Sequence, residues 1–266
     1  MRRSTVALMM ALVSGVAILA AADRMTDKDL KTLVERVDEE RDRFEDALDG
    51  KLKSSIVRGP AGEADVGKFL DDFQNNVDRL KERMNADYAG SAEVSTILQQ
   101  ATIIDNFFRQ QPAGTKGDSE WTRLAGSLKT LATTYGTSFP TAPGATVRRM
   151  SRKEFTGLAS EIADNADHFK KALDDDLKKD TAVTQAQRET IVKEADALKK
   201  DAEELRSAVN DDRPSAGESE RLLSRGSKLQ AFMDARKVPT PTAQGAWGQM
   251  SPRLQRLAGE YGTTWR

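Results

Sequence analysis

Trp121, Leu124, Leu128, Leu131, Ala132, Tyr135, Gly136 and Thr137 recur as Trp247, Met250, Leu254, Leu257, Ala258, Tyr261, Gly262 and Thr263, each pair 126 positions apart. The three- and four-residue steps between the apolar members place them on one face of a helix. Tyr-Gly-Thr then reads as a helix stop, because glycine enters the left-handed conformation without a Cβ penalty. A terminal helix that occurs twice, with its apolar stripe intact, predicts a duplicated helical chain.

Upstream of these helices the same correspondence holds at an offset of 125. Leu30, Leu33, Val37, Phe44 and Leu48 answer to Phe155, Leu158, Ile162, Phe169 and Leu173. Val66, Leu70, Phe73, Val77, Leu80 and Met84 answer to Ile191, Ala195, Leu198, Ala202, Leu205 and Val209. Ile97, Leu98, Ala101, Ile104, Phe107 and Phe108 answer to Leu222, Leu223, Gly226, Leu229, Phe232 and Met233. Apolar positions match while most polar ones differ, as expected when a buried stripe is retained and a solvated face is free to change. Thr26 with Asp29, Ser151 with Glu154, Thr184 with Gln187 and Ser215 with Glu218 mark helix starts of the capping-box kind.

These signals predict an all-α chain: two tandem antiparallel four-helix bundles related by internal duplication. The first covers residues 23–137 and the second residues 151–266. A linker over residues 138–150, with Pro140, Pro143 and Gly144, joins them. Short loops make successive helices antiparallel, and helices of roughly 20 to 28 residues extend about 30 to 42 Å. The first helix is expected to stop before Gly59-Pro60 and the second near Tyr88-Ala89-Gly90. Ser91 is expected to open the third, and Asp118 or Ser119 to cap the fourth. No strand pattern competes. Pro252 either starts the last helix or kinks it. Phe139 and Trp265, at equivalent places after the two stops, are candidates to fold back over the bundle ends; Trp265 is alternatively a contact for a partner.

Residues 1–22 read as a signal peptide. Arg2 and Arg3 precede an uncharged run, Ser4 to Ala22, that closes on Ala20-Ala21-Ala22. An uncleaved N-terminal membrane anchor is the alternative, since the run approaches the length of a span. Either reading places the rest of the chain outside the cytosol, secreted or periplasmic. Of 266 residues, 31% are charged, with 41 Lys and Arg against 42 Asp and Glu, a balance that gives no electrostatic case for nucleic acid. The absence of cysteine excludes disulfides, thiolate metal sites and a cysteine nucleophile.

No residue set predicts catalysis, a cofactor or a metal. His168 is the single histidine, with Asp164 one turn away; two such groups fall short of the carboxylate and histidine sets of metal-binding bundles. Asp174-Asp175-Asp176 lacks the alternation and glycine of a calcium loop and reads as a solvated helix end. No nucleophile elbow or phosphate-binding loop is present. Trp121, Tyr135, Trp247 and Tyr261 read as core packing with a polar handle rather than a ligand box. Arg41 falls on a core face where its counterpart is Ala166, and is expected to snorkel outward. The expected function is that of an exported, non-enzymatic interaction or scaffold module whose partner is another protein or an envelope component, with a membrane role only if the leader is retained. The alternative is a small-molecule- or metal-binding carrier or sensor with a cavity near Arg41 or between the units.

Overall fold

The computed structural model describes residues 24–59, 62–110, 115–181, 183–235 and 241–265; the expected leader lies outside them. In chain order the elements are α1 (Asp27–Ala47), α2 (Gly50–Lys53), β1 (Ile56–Gly59), β2 (Gly62–Asp65), α3 (Val66–Asn85), α4 (Ser91–Phe108), α5 (Asp118–Thr134), α6 (Arg152–Lys179), α7 (Gln185–Asn210), α8 (Ala216–Ala235) and α9 (Pro241–Glu260). The described chain is helical apart from one two-stranded antiparallel hairpin, β1–β2. No helix among the described residues is long and apolar enough to cross a membrane.

The long helices close two rings of contact. In the first, α1 meets α3 and α5, and α4 meets the same two; in the second, α6 meets α7 and α9, and α8 meets the same two. Each ring encloses its own apolar cluster, one running from Leu30 to Phe139 and the other from Met150 to Trp265. Residues paired by the sequence register share the same fate. Leu80 and Leu205 are both buried, as are Phe44 and Phe169, Ile97 and Leu222, and Leu131 and Leu257. Phe107 and Phe232 are both half-buried at the edges of their clusters.

The two stops match in detail. Gly136 and Gly262 are left-handed, with φ of 69° and 63°. The amides of Thr137 and Thr263 donate back to the carbonyls of Ala132 and Ala258, both at 3.0 Å, satisfying groups the helix end leaves open. At the other ends, Ser151–Glu154 and Thr184–Gln187 form full capping boxes, and Thr26 accepts from the Asp29 amide.

The expectation of a first helix running to Gly59-Pro60, with no strand, is corrected. α1 ends at Ala47 and α2 is a single turn; the hairpin then packs against α4. Its register pairs Ile56 with Asp65 and Gly59 with Gly62. No residues have been inserted here, for the offset of 125 holds on both sides. The difference lies in side-chain type. Ile56 and Val57 are β-branched and favour extended backbone, and Gly59, Pro60 and Gly62 resist continued helix. The counterpart stretch, Ala182 to Arg188, is rich in helix formers and carries the α7 cap.

Pro252 neither starts nor ends a helix: it sits inside α9. The ring of a helical proline crowds the carbonyl four residues back. That position is Gly248.

The closing residues also differ instructively. Phe139 and Trp265 are both buried, so the closure reading applies and the exposed-contact reading of Trp265 does not. The Trp265 indole N–H donates to the Leu223 carbonyl at 3.1 Å, and its ring lies 6.2 Å from that of Trp247. Room for the larger indole comes from Gly226, the counterpart of Ala101. A Cβ there would stand 2.9 Å from Leu254 and 3.3 Å from Trp265. Gly226→Ala therefore lowers stability by about 1–2 kcal/mol, because overpacking outweighs the gain in helix propensity. Gly157→Ala in α6, where a Cβ meets nothing within 4 Å, raises stability by about 0.5–1 kcal/mol. Thermal or denaturant unfolding of both variants checks the contrast.

Candidate functional site at the junction of the units

Where the two rings meet, the chain gathers charge. Arg24, in the segment just before α1, is a mostly buried side chain, 9% exposed. It donates to the Met150 carbonyl, lies 3.7 Å from the Glu260 carboxylate and stands over the Phe155 ring at 4.8 Å. Arg149, just before α6 and 3% exposed, donates to the Met25 carbonyl at 2.6 Å and to Asp27 at 2.8 Å. The Met150 amide donates to Glu260 at 3.1 Å. Asp212, at the turn between α7 and α8, accepts from the amides of Asp27 and Lys28 at 3.0 and 3.1 Å. A carboxylate is favourable there, because helix N-termini expose free N–H groups and positive potential.

These groups flank a cleft of about 390 Å³ lined by Arg24, Arg148 and Arg149, by Thr130, Thr133 and Thr134 of α5, and by Gly259 and Glu260 of α9. A second groove of about 320 Å³ adjoins it and adds Arg256. Arg148 is exposed at the rim of both. Burial, and then the neighbouring Arg149, lowers the Arg24 pKa below the ordinary arginine value, with Asp27 and Glu260 opposing. The backbone N–H of Ser151 holds the Glu154 carboxyl below its usual range.

The segment 138–148 packs on the first unit. Phe139 joins the first cluster and Val147 packs against it. The Thr141 amide donates to Thr102, that of Arg148 to the Tyr135 carbonyl and that of Arg149 to Ser91. Met150 then belongs to the second cluster.

The other residues singled out by sequence lie apart from this cleft. His168 is exposed on α6, beside a shallow groove shared with Asp164, Asp167 and Lys199. Among the described residues, no group of three or more His, Asp or Glu is placed to hold a metal. Asp174 pairs with Lys178 and Arg188. Asp176 does more than face water: it accepts from the Ala243 amide in the first turn of α9 at 2.9 Å. Arg41 does not snorkel freely. Its side chain is 11% exposed and held between α1 and α3 by Asp42, Glu45 and Gln74.

Trp121 and Trp247 lie in the cores. Their indole N–H groups donate to Asp105 and Gln230, which are themselves counterparts at the 125 offset. Tyr135 and Tyr261 reach the turns before α4 and α8, bonding the Ala89 carbonyl and the Ser215 hydroxyl.

Arg24 and Arg149 escaped the sequence reading because they precede the periodic stretches. The signal was nevertheless present: Arg24-Met25-Thr26 and Arg149-Met150-Ser151 continue the same register. Taken together, the elements define a helical chain with two apolar clusters and a polar seam between them. Comparison with protein-family models, with curated proteins and with solved structures finds no match.

Burial raises the Tyr135 pKa to about 12. The folded value exceeds the ordinary value near 10, so the stability it confers is complete below about pH 10 and is lost as the pH rises toward 12. Ultraviolet titration should show one tyrosine ionising near pH 12, together with unfolding. Tyr135→Phe removes that transition and costs about 1 kcal/mol at neutral pH, through the loss of one hydrogen bond.

Proposed function

We propose that the chain is an exported, non-enzymatic interaction or scaffold protein: a signal peptide over residues 1–22, followed by two antiparallel four-helix bundles, residues 23–137 and 151–266, descended from one duplicated module. The observation that carries this reading is the filling of both cores by register-matched apolar residues, including the aromatic group of Phe44, Phe108 and Trp121 and the pair Phe169 and Trp247. With the interiors occupied by side chains, the surface left for recognition consists of long, charged outer helix faces. Such faces suit another protein or an envelope component. A leader ending at Ala22 fits an export route, with a periplasmic or secreted destination.

A second reading rests on the junction cleft. Arg24, Arg148 and Arg149 line it, and Arg148 is exposed at its rim. Guanidinium groups recognise carboxylates and phosphates through paired hydrogen bonds, so the small molecule favoured there is acidic. The Glu260 carboxylate selects against an anion that fills the whole cleft.

Protein purified from its natural compartment separates the two. The scaffold reading expects an intact mass lacking Met1 to Ala22 and a native mass spectrum of polypeptide alone, with a stoichiometric protein partner recovered by cross-linking. A stoichiometric small acid that is lost in Arg148→Ala overturns the scaffold reading in favour of the second. A mass that retains Met1 to Ala22 overturns the cleaved leader.

A further inference from the structure

We infer that the junction is an isologous interface, in which each unit docks on the other as one copy of a protein docks on a second copy across a twofold axis. The inference rests on the duplication proposed above and concerns what the joined surfaces recognise. At the 125 offset Arg24 answers to Arg149 and Met25 to Met150. Arg24 donates to the Met150 carbonyl, and Arg149 donates to the Met25 carbonyl. With the second unit counted by register from Arg149, residue i of one unit thus meets j of the other, while the counterpart of i meets the counterpart of j. That reciprocity is the mark of a twofold contact; a head-to-tail arrangement brings unlike segments together instead.

The surroundings repeat the pattern. The Thr134 hydroxyl approaches the Met25 sulfur at 3.8 Å, while Glu260, its counterpart at the 126 offset, accepts from the Met150 amide. The cleft itself is lined by the matched pairs Thr133 with Gly259, Thr134 with Glu260 and Gly136 with Gly262. Asp87 and Asp212, also counterparts, are the two non-glycine residues with positive φ among those described, at 61° and 50°. Asp212 caps α1 of the first unit. Asp87 lines a small crevice with Met150 and Ser151 at the start of α6 in the second.

The surface before α1 and the surface before α6 therefore fit the same kind of partner, a copy of the unit itself, which this chain supplies within one polypeptide. One departure from symmetry disfavours a pair of second units. Asp27 binds Arg149, but the counterpart of Asp27 is Arg152. Two second units docked on each other would set Arg152 against Arg149 at both contacts, whereas the junction of a first and a second unit gains one Asp27–Arg149 pair. Like-charge repulsion of this sort selects among otherwise similar partners.

The test uses the whole chain with a protease site placed in the exposed stretch Ala142-Pro143-Gly144. After cleavage, the two fragments are expected to elute as one species near neutral pH and low ionic strength. Arg24→Ala and Arg149→Ala should each weaken that association by about tenfold or more, and by similar factors, the loss expected for a charge-assisted hydrogen bond. Circular dichroism checks that helicity is retained. If either arginine variant loses helicity, Asp212→Asn, which removes charge at nearly constant shape, serves as the second probe and must also weaken the association. Fragments that separate at once in wild-type sequence, or an association that depends on one arginine and ignores the other, overturn the inference.

Discussion

An indole N–H inside an apolar core must find an acceptor, since a buried, unpaired donor costs about 1–3 kcal/mol. Both units meet this constraint in the same way. Trp121 and Trp247 send their N–H groups to Asp105 and Gln230 on the preceding long helix, fixing the rotation of α5 against α4 and of α9 against α8. The rings so placed become the surfaces on which Phe44 and Phe169 pack, at centroid distances of 5.1 and 4.9 Å. Tyr135 and Tyr261 lock the far ends of the same helices to the turns before α4 and α8. Each unit is thus pinned at both ends by an amphipathic aromatic, and the aliphatic stripes between the pins pack in a set register.

What sequence revealed and what it concealed have separate physical origins. Burial acts on every apolar position at once, so the matched stripes are legible; Leu80 with Leu205 and Ile97 with Leu222 follow them into the cores. Local backbone choice depends on few residues and little energy, and is harder to read. The stretch from Ser54 to Asp65 keeps its length yet exchanges helix for hairpin, because Ile56, Val57 and the Gly-Pro-Ala-Gly run shift a balance that its counterpart tips toward helix. Pro252 shows the opposite outcome, a residue with a strong local preference against helix interiors that nevertheless lies inside α9, whose apolar face from Ala243 to Ala258 is buried. The polar seam was hidden for a third reason. Arg24 and Arg149 occupy non-helical positions without periodicity, and an isolated arginine in such a segment ordinarily faces water.

The seam is built unlike the cores it joins. Inside each unit the contacts are apolar, shape-dependent and spread over many residues. Between the units they are guanidinium to carbonyl, guanidinium to carboxylate and carboxylate to helix amide. Bonds of that kind fix orientation with few residues, since arginine presents a planar fork of donors. The segment from Phe139 to Arg148 contributes by lying against the first unit, which leaves little free chain between the two bodies. Relative placement is thereby set by direct contact rather than by tether length.

The position of the closing aromatics bears on how the chain is made. Each is the last buried member of its apolar cluster: Phe139 closes the first, and Trp265 slots beside Gly226 to close the second. During synthesis from the amino end, the first core has all its members while the second is still being added. Arg24 must wait for Met150, and Asp27 for Asp212, before its bond across the seam exists. Vectorial synthesis thus imposes an order: one body consolidates, the next follows, and the clasp between them forms last.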